Sequence, residues 1–207
     1  MSLSIRPADK IKLSVIDYLI TNYHGVIIGN EVMYGTTKKV VDLVALYNGE
    51  IFAIEIKSEK DNMRRLYDQL KEYARIFDYT IVFTHPKHTE DIISISNAKA
   101  SIFEVIDEHF IMKCPIRRNR PLKREMIYSI NTSYLKKYVP LSKIKETSNN
   151  IRTQISRKYK VDEIHQMFYE FLRLKLEQRF KLYLKERGEK NYDDLSLLSA
   201  QLNIGTV

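Results

Sequence analysis

The sequence predicts an α/β fold, a mixed sheet with helices on both faces, followed by a basic helical C-terminal part. Three observations carry this. Residues 41–57 hold two apolar, strand-like runs joined by Asn48-Gly49, a strong short-range signal for a two-residue hairpin. Both faces of that hairpin are mostly apolar, so both need cover, which for a small sheet means helices. Charge is also uneven along the 207 residues: residues 1–110 hold 13 Lys/Arg against 16 Asp/Glu, whereas residues 111–190 hold 21 against 8.

Residues 9–22 read as an amphipathic helix, with Asp9 placed to cap it and Ile11, Val15, Tyr18, Leu19 and Asn22 at helical spacing. The run 25–32, GVIIGNEV, follows as a strand, with a turn at Gly35. If Asn48 and Gly49 are the loop, Tyr47 faces Glu50 and Asp42 lies opposite Glu55. Alternation then puts Asp42, Val44, Leu46, Ile51, Ala53, Glu55 and Lys57 on one face. Val41, Leu43, Ala45, Phe52, Ile54 and Ile56 fall on the other.

A second helix is expected over 61–77, with Asp61 near its start and Met63, Leu66, Leu70, Tyr73 and Phe77 facing inward. Residues 80–84 read as a strand, 85–90 as a loop, and 101–106 with 109–113 as a hairpin around Asp107-Glu108. Beyond Pro115 the pattern turns basic and helical, with short segments at 131–138, 141–146 and 151–159. A long helix near 161–187 carries Ile164, Phe168, Phe171, Leu172, Leu176, Phe180 and Leu184 on one side, and a short one follows near 193–203. Residues 113–125 are the expected junction, dividing a core at 1–115 from a basic helical extension at 116–207.

The hairpin's charged end raises a physical problem. Like charges opposite each other in a sheet are destabilising, and burying them is worse. Asp42 across from Glu55 therefore calls for a cation. A divalent ion meets that need, because Mg²⁺ takes carboxylate oxygens and keeps several waters. Lys57, two residues beyond Glu55, either neutralises the pair or positions a water beside the metal. The alternative is a solvent-exposed pair of Glu55 and Lys57 at the sheet's edge.

These residues resemble the PD-(D/E)xK nuclease superfamily, whose signature is an acid on one strand, Glu-x-Lys on the next, and then a helix. Here it stands as Asp42 and Glu55-Ile56-Lys57, with Val41 where the superfamily usually has proline. A subgroup related to bacterial recombination exonucleases adds Gln-x-x-x-Tyr, matched by Gln69 and Tyr73, which share a helix face. A string covering roughly residues 28–88 is similar to a family of small bacterial proteins in that superfamily: Glu31, then Glu55 to Ser58, Asp61, Arg65-Leu66 and Gln69 to Tyr73.

The resemblance implies a restriction-endonuclease-like fold and a Mg²⁺- or Mn²⁺-dependent deoxyribonuclease. Asp42 and Glu55 would ligate the metal, with the Ile56 carbonyl as a third ligand, and Lys57, Gln69 and Tyr73 would complete the catalytic set. Many members carry a Glu on the first helix, where this chain has only Asp9 and Asp17. Glu31 is the provisional further ligand, or else a salt-bridge partner of Lys38 or Arg65.

Other features narrow the reading. His85 and His88 have no further His or Cys nearby, which disfavours zinc and leaves His85 or Lys87 as phosphate contacts. Ser58 has no base at triad spacing and is placed to cap the next turn. The single cysteine, Cys114, excludes an intramolecular disulfide and fits a reducing cytoplasm. No run of 18 apolar residues is present, so no membrane helix is expected, and the first residues lack a secretory h-region.

Arg117, Arg118, Arg120, Lys123 and Arg124, with Lys136, Lys137, Arg157, Lys158 and Lys160, could follow a DNA or RNA backbone without reading bases. Tyr128, Tyr134 and Tyr159 interleave with them, either to stack on bases or to pack. The bland reading of the same charge is a solvated helical surface. The expected function is thus a metal-dependent DNA nuclease, as monomer or homodimer; the alternative is a nucleic-acid-binding or regulatory protein on the same fold without turnover.

Overall fold

The computed structural model describes residues 5–35, 39–97, 99–143, 145–188 and 192–199. A six-stranded sheet lies at its centre, its strands ordered as in the sequence. They are β1 (Ile27–Tyr34), β2 (Lys39–Tyr47), β3 (Glu50–Lys57), β4 (Tyr79–Thr84), β5 (Ser101–Ile106) and β6 (His109–Cys114). β1, β2 and β3 form an antiparallel meander, β4 and β5 run parallel to β3, and β6 turns back. The helices are α1 (Pro7–Asn22), α2 (Leu66–Tyr73), α3 (Thr89–Ser96), α4 (Lys123–Ser129), α5 (Thr132–Leu135), α6 (Ser148–Lys158) and α7 (Val161–Glu186). The expected mixed sheet flanked by helices, with a helical C-terminal part, is what forms. Among the described residues no helix is long and apolar enough to cross a membrane.

Each sheet face is buried under its own helical layer. One apolar cluster joins Val44, Leu46, Ile51 and Ala53 to α2, α3, α4, α6 and the first half of α7 through Leu70, Ile92, Ile127, Ile155 and Phe168. The other joins Leu43, Ala45, Ile54 and Phe83 to α1, to Phe180 and Tyr183 at the end of α7, and to Leu195 and Leu198. α7 therefore passes from one face to the other beside β1. Its close approach depends on Gly29, where an added Cβ would lie 2.5 Å from a methyl of Leu176. The 26-residue helix is about 39 Å long at ~1.5 Å per residue, enough to span both layers.

The hairpin register is the expected one, with Tyr47 paired to Glu50. Asn48 and Gly49 both take positive φ, 49° and 81°, as a type I′ turn requires. The turn at Asp107 and Glu108 does the same, with φ of 46° and 68°.

Several expectations are corrected. α2 runs over Leu66–Tyr73, not 61–77; at its front Asp61 turns back to accept hydrogen bonds from the Ser58 N–H and Oγ. α1 begins at Pro7, so Asp9 lies inside its first turn rather than capping it. The buried stripe of α1 holds Asp9, Lys12, Leu13, Val15, Ile16 and Leu19, while Asn22 is exposed. The loop after β4 includes a 3₁₀ turn and then α3, and the segment read as a junction contains the start of α4. On α7, Tyr183 is buried and Leu184 is 43% exposed, because the helix turns its last buried side chains toward α1. Residues 192–198 form a 3₁₀ segment, and residues 200–203 of the expected last helix lie outside the described residues.

Candidate active site

A local break in the sheet builds the site. Asn30 pairs with Leu43 and Val32 with Val41, leaving Glu31 and Asp42 facing each other between them. Glu31 takes φ 51°, a left-handed conformation that costs a non-glycine residue on the order of 1–2 kcal/mol. The break reverses side-chain parity in both strands. Ile28 and Leu43 lie in the α1-side cluster, whereas Val32 and Val41 lie in the opposite one. Val41 was expected on the face of Leu43, and the irregular backbone at Glu31 and Asp42 is the physical reason it is not.

On the other side of β2, pairing to β3 ends at Leu43 and Ile54, one step short of Asp42 and Glu55. There the Ile56 N–H donates to Asp42 Oδ2 at 2.9 Å, where a continued ladder would have offered it a β2 carbonyl. The two acids thus stand where the strands part, which eases the repulsion expected between them.

Glu55 is 2% exposed, and both its oxygens are held. Oε1 accepts from Lys57 Nζ at 2.8 Å and Gln69 Nε2 at 2.9 Å. Oε2 accepts from Tyr73 O–H at 2.7 Å. Burial, then the nearby Asp42 charge, pushes the Glu55 carboxyl above its ordinary range, against the opposing pull of Lys57 and Tyr73. Burial and Glu55 in turn push the Tyr73 phenol well up, so it remains a donor. Tyr34 packs edge-on to Tyr73 at 5.3 Å and is raised by burial and by Glu72.

These groups open onto a cleft of about 410 Å³ that Asp42, Glu55, Ile56, Lys57 and Glu31 line. Gln69 and Tyr73, which share one face of α2 by their i, i+4 spacing, both reach Glu55 from behind.

The same cleft is lined by Asp9 and Lys12 of α1, which sequence reasoning did not assign to it. Lys12 Nζ, almost fully buried, donates to Asn30 Oδ1 at 3.0 Å and lies 3.9 Å from Asp42 Oδ1. Asn30 Nδ2 donates to the Leu195 carbonyl at 3.2 Å, so the segment after α7 braces this corner. Asp9 is held by Arg6. A signal was present: Asp9, Lys12, Ile16 and Leu19 fall in helical phase, so two charges share the buried stripe.

Glu31 reaches the cleft but makes no ion pair with a described residue, Arg65 included; Lys38 lies outside the described residues. Among the described residues the one group of three acid, His or Cys side chains with ligand atoms within 4.8 Å of one another is Glu50, Asp78 and His165. Glu31 therefore does not close a three-carboxylate set with Asp42 and Glu55. Asp17 pairs with Arg187, away from the cleft. The His85 N–H donates to the Lys57 carbonyl at 2.8 Å, and Lys87 Nζ to the Glu59 carbonyl at 3.0 Å, which puts that loop beside the end of β3.

The basic segment lies elsewhere. Residues 115–122 run past the start of β3 and β4, pinned where the Asn119 N–H meets the Asp78 carbonyl and the Leu122 N–H meets that of Arg75. Glu50 and Glu55 are five residues apart along β3, roughly 16 Å, so Arg117 and Arg120 are not beside the carboxylates. Arg118 is committed to Glu50 at 3.0 Å and Asp78 at 3.6 Å. Lys123 and Arg124 open α4, with Arg124 over the Tyr128 ring at 5.6 Å.

Among solved structures, a protein of unknown function from Silicibacter pomeroyi, SPO1766, is 17% identical. The match covers 57% of this chain and 77% of that one, with a TM-score of 0.46, a likeness too slight to bear on function. No curated protein matches the chain. The pattern of the family described as Bacteriophage P4 protein cII matches residues 1–199, sheet and C-terminal helices alike, and the chain belongs to that family.

Proposed function

We propose that the protein is a metal-dependent nuclease that hydrolyses phosphodiester bonds in DNA, as the PD-(D/E)xK resemblance of its hairpin implies. The observation that carries this reading is the gathering of Asp42, Glu55 and Lys57 in one cleft, with Glu55 fixed from behind by Gln69 and Tyr73. Burial first, and then the Asp42 charge, raises the Glu55 carboxyl against the pull of Lys57, so the two acids share one desolvated corner. An all-oxygen donor set of this kind fits Mg²⁺ or Mn²⁺. Asp42, Glu55 and the Ile56 carbonyl would hold the ion, with Glu31 provisional at the rim. When bound, it would lower the pKa of a water and offset charge building on the phosphate. Lys57 positions the attacking water and adds a positive charge near the phosphate oxygens. Gln69 and Tyr73 keep the Glu55 oxygens aimed, so little reorganisation is needed at reaction.

Purified protein is expected to nick or degrade DNA with Mg²⁺ or Mn²⁺ and not in EDTA. Lys57→Ala should slow cleavage by about 10²–10⁴-fold. No cleavage of circular, linear or single-stranded DNA, together with no heat of Mn²⁺ binding in titration calorimetry, would refute the proposal.

A second reading, a nucleic-acid-binding or regulatory protein without turnover, is favoured by the three hydrogen bonds that Glu55 already accepts. Salt-dependent DNA binding that survives Asp42→Ala and Glu55→Ala, with no cleavage by the wild type, would select it.

A further inference from the structure

A second concave site lies between α4 and α6. Arg124, Ile127 and Tyr128 from α4 and Arg152, Ser156 and Arg157 from α6, with Thr153, line a groove of about 270 Å³. Three arginines and three hydroxyl-bearing residues line it, and no acidic residue does. The acid on α4, Glu125, pairs with Arg75 instead. Arg152 donates to Thr132 Oγ1 at 2.9 Å and to the Ile130 carbonyl at 3.1 Å, and lies over the Tyr128 ring at 5.1 Å. Its Nε is buried without a hydrogen-bond partner. Arg124 lies over the same ring, and among the described residues neither it nor Arg157 has an ion-pair partner.

Gathering like charges without a counter-ion costs Coulomb energy, and an anion in the groove removes that cost. Arginine is the side chain whose planar fork matches phosphate oxygens in pairs. The groove is smaller than the ~300–1,000 Å³ of clefts that engulf whole small molecules, so it suits one or two groups of an extended polyanion. Its direction fits too. α4 starts at the Arg75 end of the sheet, where the Leu122 N–H meets the Arg75 carbonyl. It ends where Ser129 Oγ accepts from the Gly35 N–H, at the sheet end that holds Asp42 and Glu55.

We propose that the α4–α6 groove binds the phosphodiester backbone of the nucleic acid, holding the strand outside the carboxylate cleft. This rests on the nuclease reading for the identity of the substrate, but not on turnover.

The test is fluorescence anisotropy of a labelled oligonucleotide, single-stranded and duplex, with the whole protein in EDTA across a salt series. The double variant Arg124→Gln/Arg157→Gln should bind about tenfold or more weakly, and its slope of log K against log salt should fall by about one per arginine. Lysine at both positions should restore the slope, because charge is kept, which a packing role would not do. Arg152→Gln should weaken binding as well; its melting curve separates that loss from unfolding, since Arg152 also braces Ile130 and Thr132.

Unchanged affinity and slope in the double variant overturn the proposal, as does a wild type that binds no oligonucleotide at low salt. Stabilisation by inorganic phosphate that the double variant loses, with oligonucleotide binding unaltered, would make the groove a small-anion site and overturn the polymer assignment. Absent cleavage with the variant's binding loss intact sinks the nuclease reading alone. Cleavage by the wild type with unchanged variant binding sinks the groove alone.

Discussion

Glu55 is pulled two ways, by burial and Asp42 toward protonation and by Lys57 and Tyr73 toward ionisation. The net effect is a raised carboxyl, so the folded chain holds this proton more tightly than the unfolded chain, whose value is near 4.5. Above that pH the ionised group costs stability. Glu55→Gln is therefore expected to melt at a higher temperature than wild type at pH 7 while losing the proposed cleavage, a trade common at functional sites. The gain should vanish as pH falls below 4.5. Tyr73→Phe removes the O–H that holds the carboxyl down. It should cost about 1–3 kcal/mol in a urea titration and move the acid limb of the pH–rate profile upward.

Elements decide where these side chains point. The meander supplies the acids, but the break at Glu31 and Asp42 turns them out of the apolar alternation and into the cleft. α7 holds the meander where Leu176 packs over Gly29, and it covers the turn after α2 where Phe168 tilts against Phe77 at 6.2 Å. Phe168 is 1% exposed, and Phe168→Ala should destabilise by about 3–5 kcal/mol in chemical denaturation. An effect below about 1 kcal/mol would mean that α7 is not needed to cover the sheet.

At the scale of the whole molecule, α7 is also clasped to the far end of the sheet. His165 Nε2 lies 2.7 Å from Asp78 Oδ2, which also accepts from the Ile51 N–H, with Glu50 and Arg118 alongside. Burial pushes the Asp78 carboxyl up, but the His165 hydrogen bond, the Ile51 N–H and the neighbouring positive charges outweigh it and hold it low. The Asp78 hydrogen bond raises the His165 imidazole against its burial. The His165 contribution is full below the unfolded value of 6.5 and is lost as pH rises through the higher folded value. The Asp78 contribution is present above 3.8 and is lost as pH falls through the lower folded value. The wild type should thus exceed His165→Gln most, by urea midpoint, between pH 3.8 and 6.5, with the difference shrinking on the alkaline side.

The sequence by itself determined the mixed sheet, the Asn48-Gly49 turn and its register, the shared strand face of Glu55 and Lys57, and the shared helix face of Gln69 and Tyr73. All of these follow from turn chemistry and from periods of 2 and 3.6 within short stretches of chain. Only the tertiary structure decided the parity switch at Glu31, the burial of Lys12 against Asn30, the separation of Arg117 and Arg120 from the carboxylates, and the arginine groove between α4 and α6. Those depend on which distant surfaces pack together, and local periodicity does not encode that.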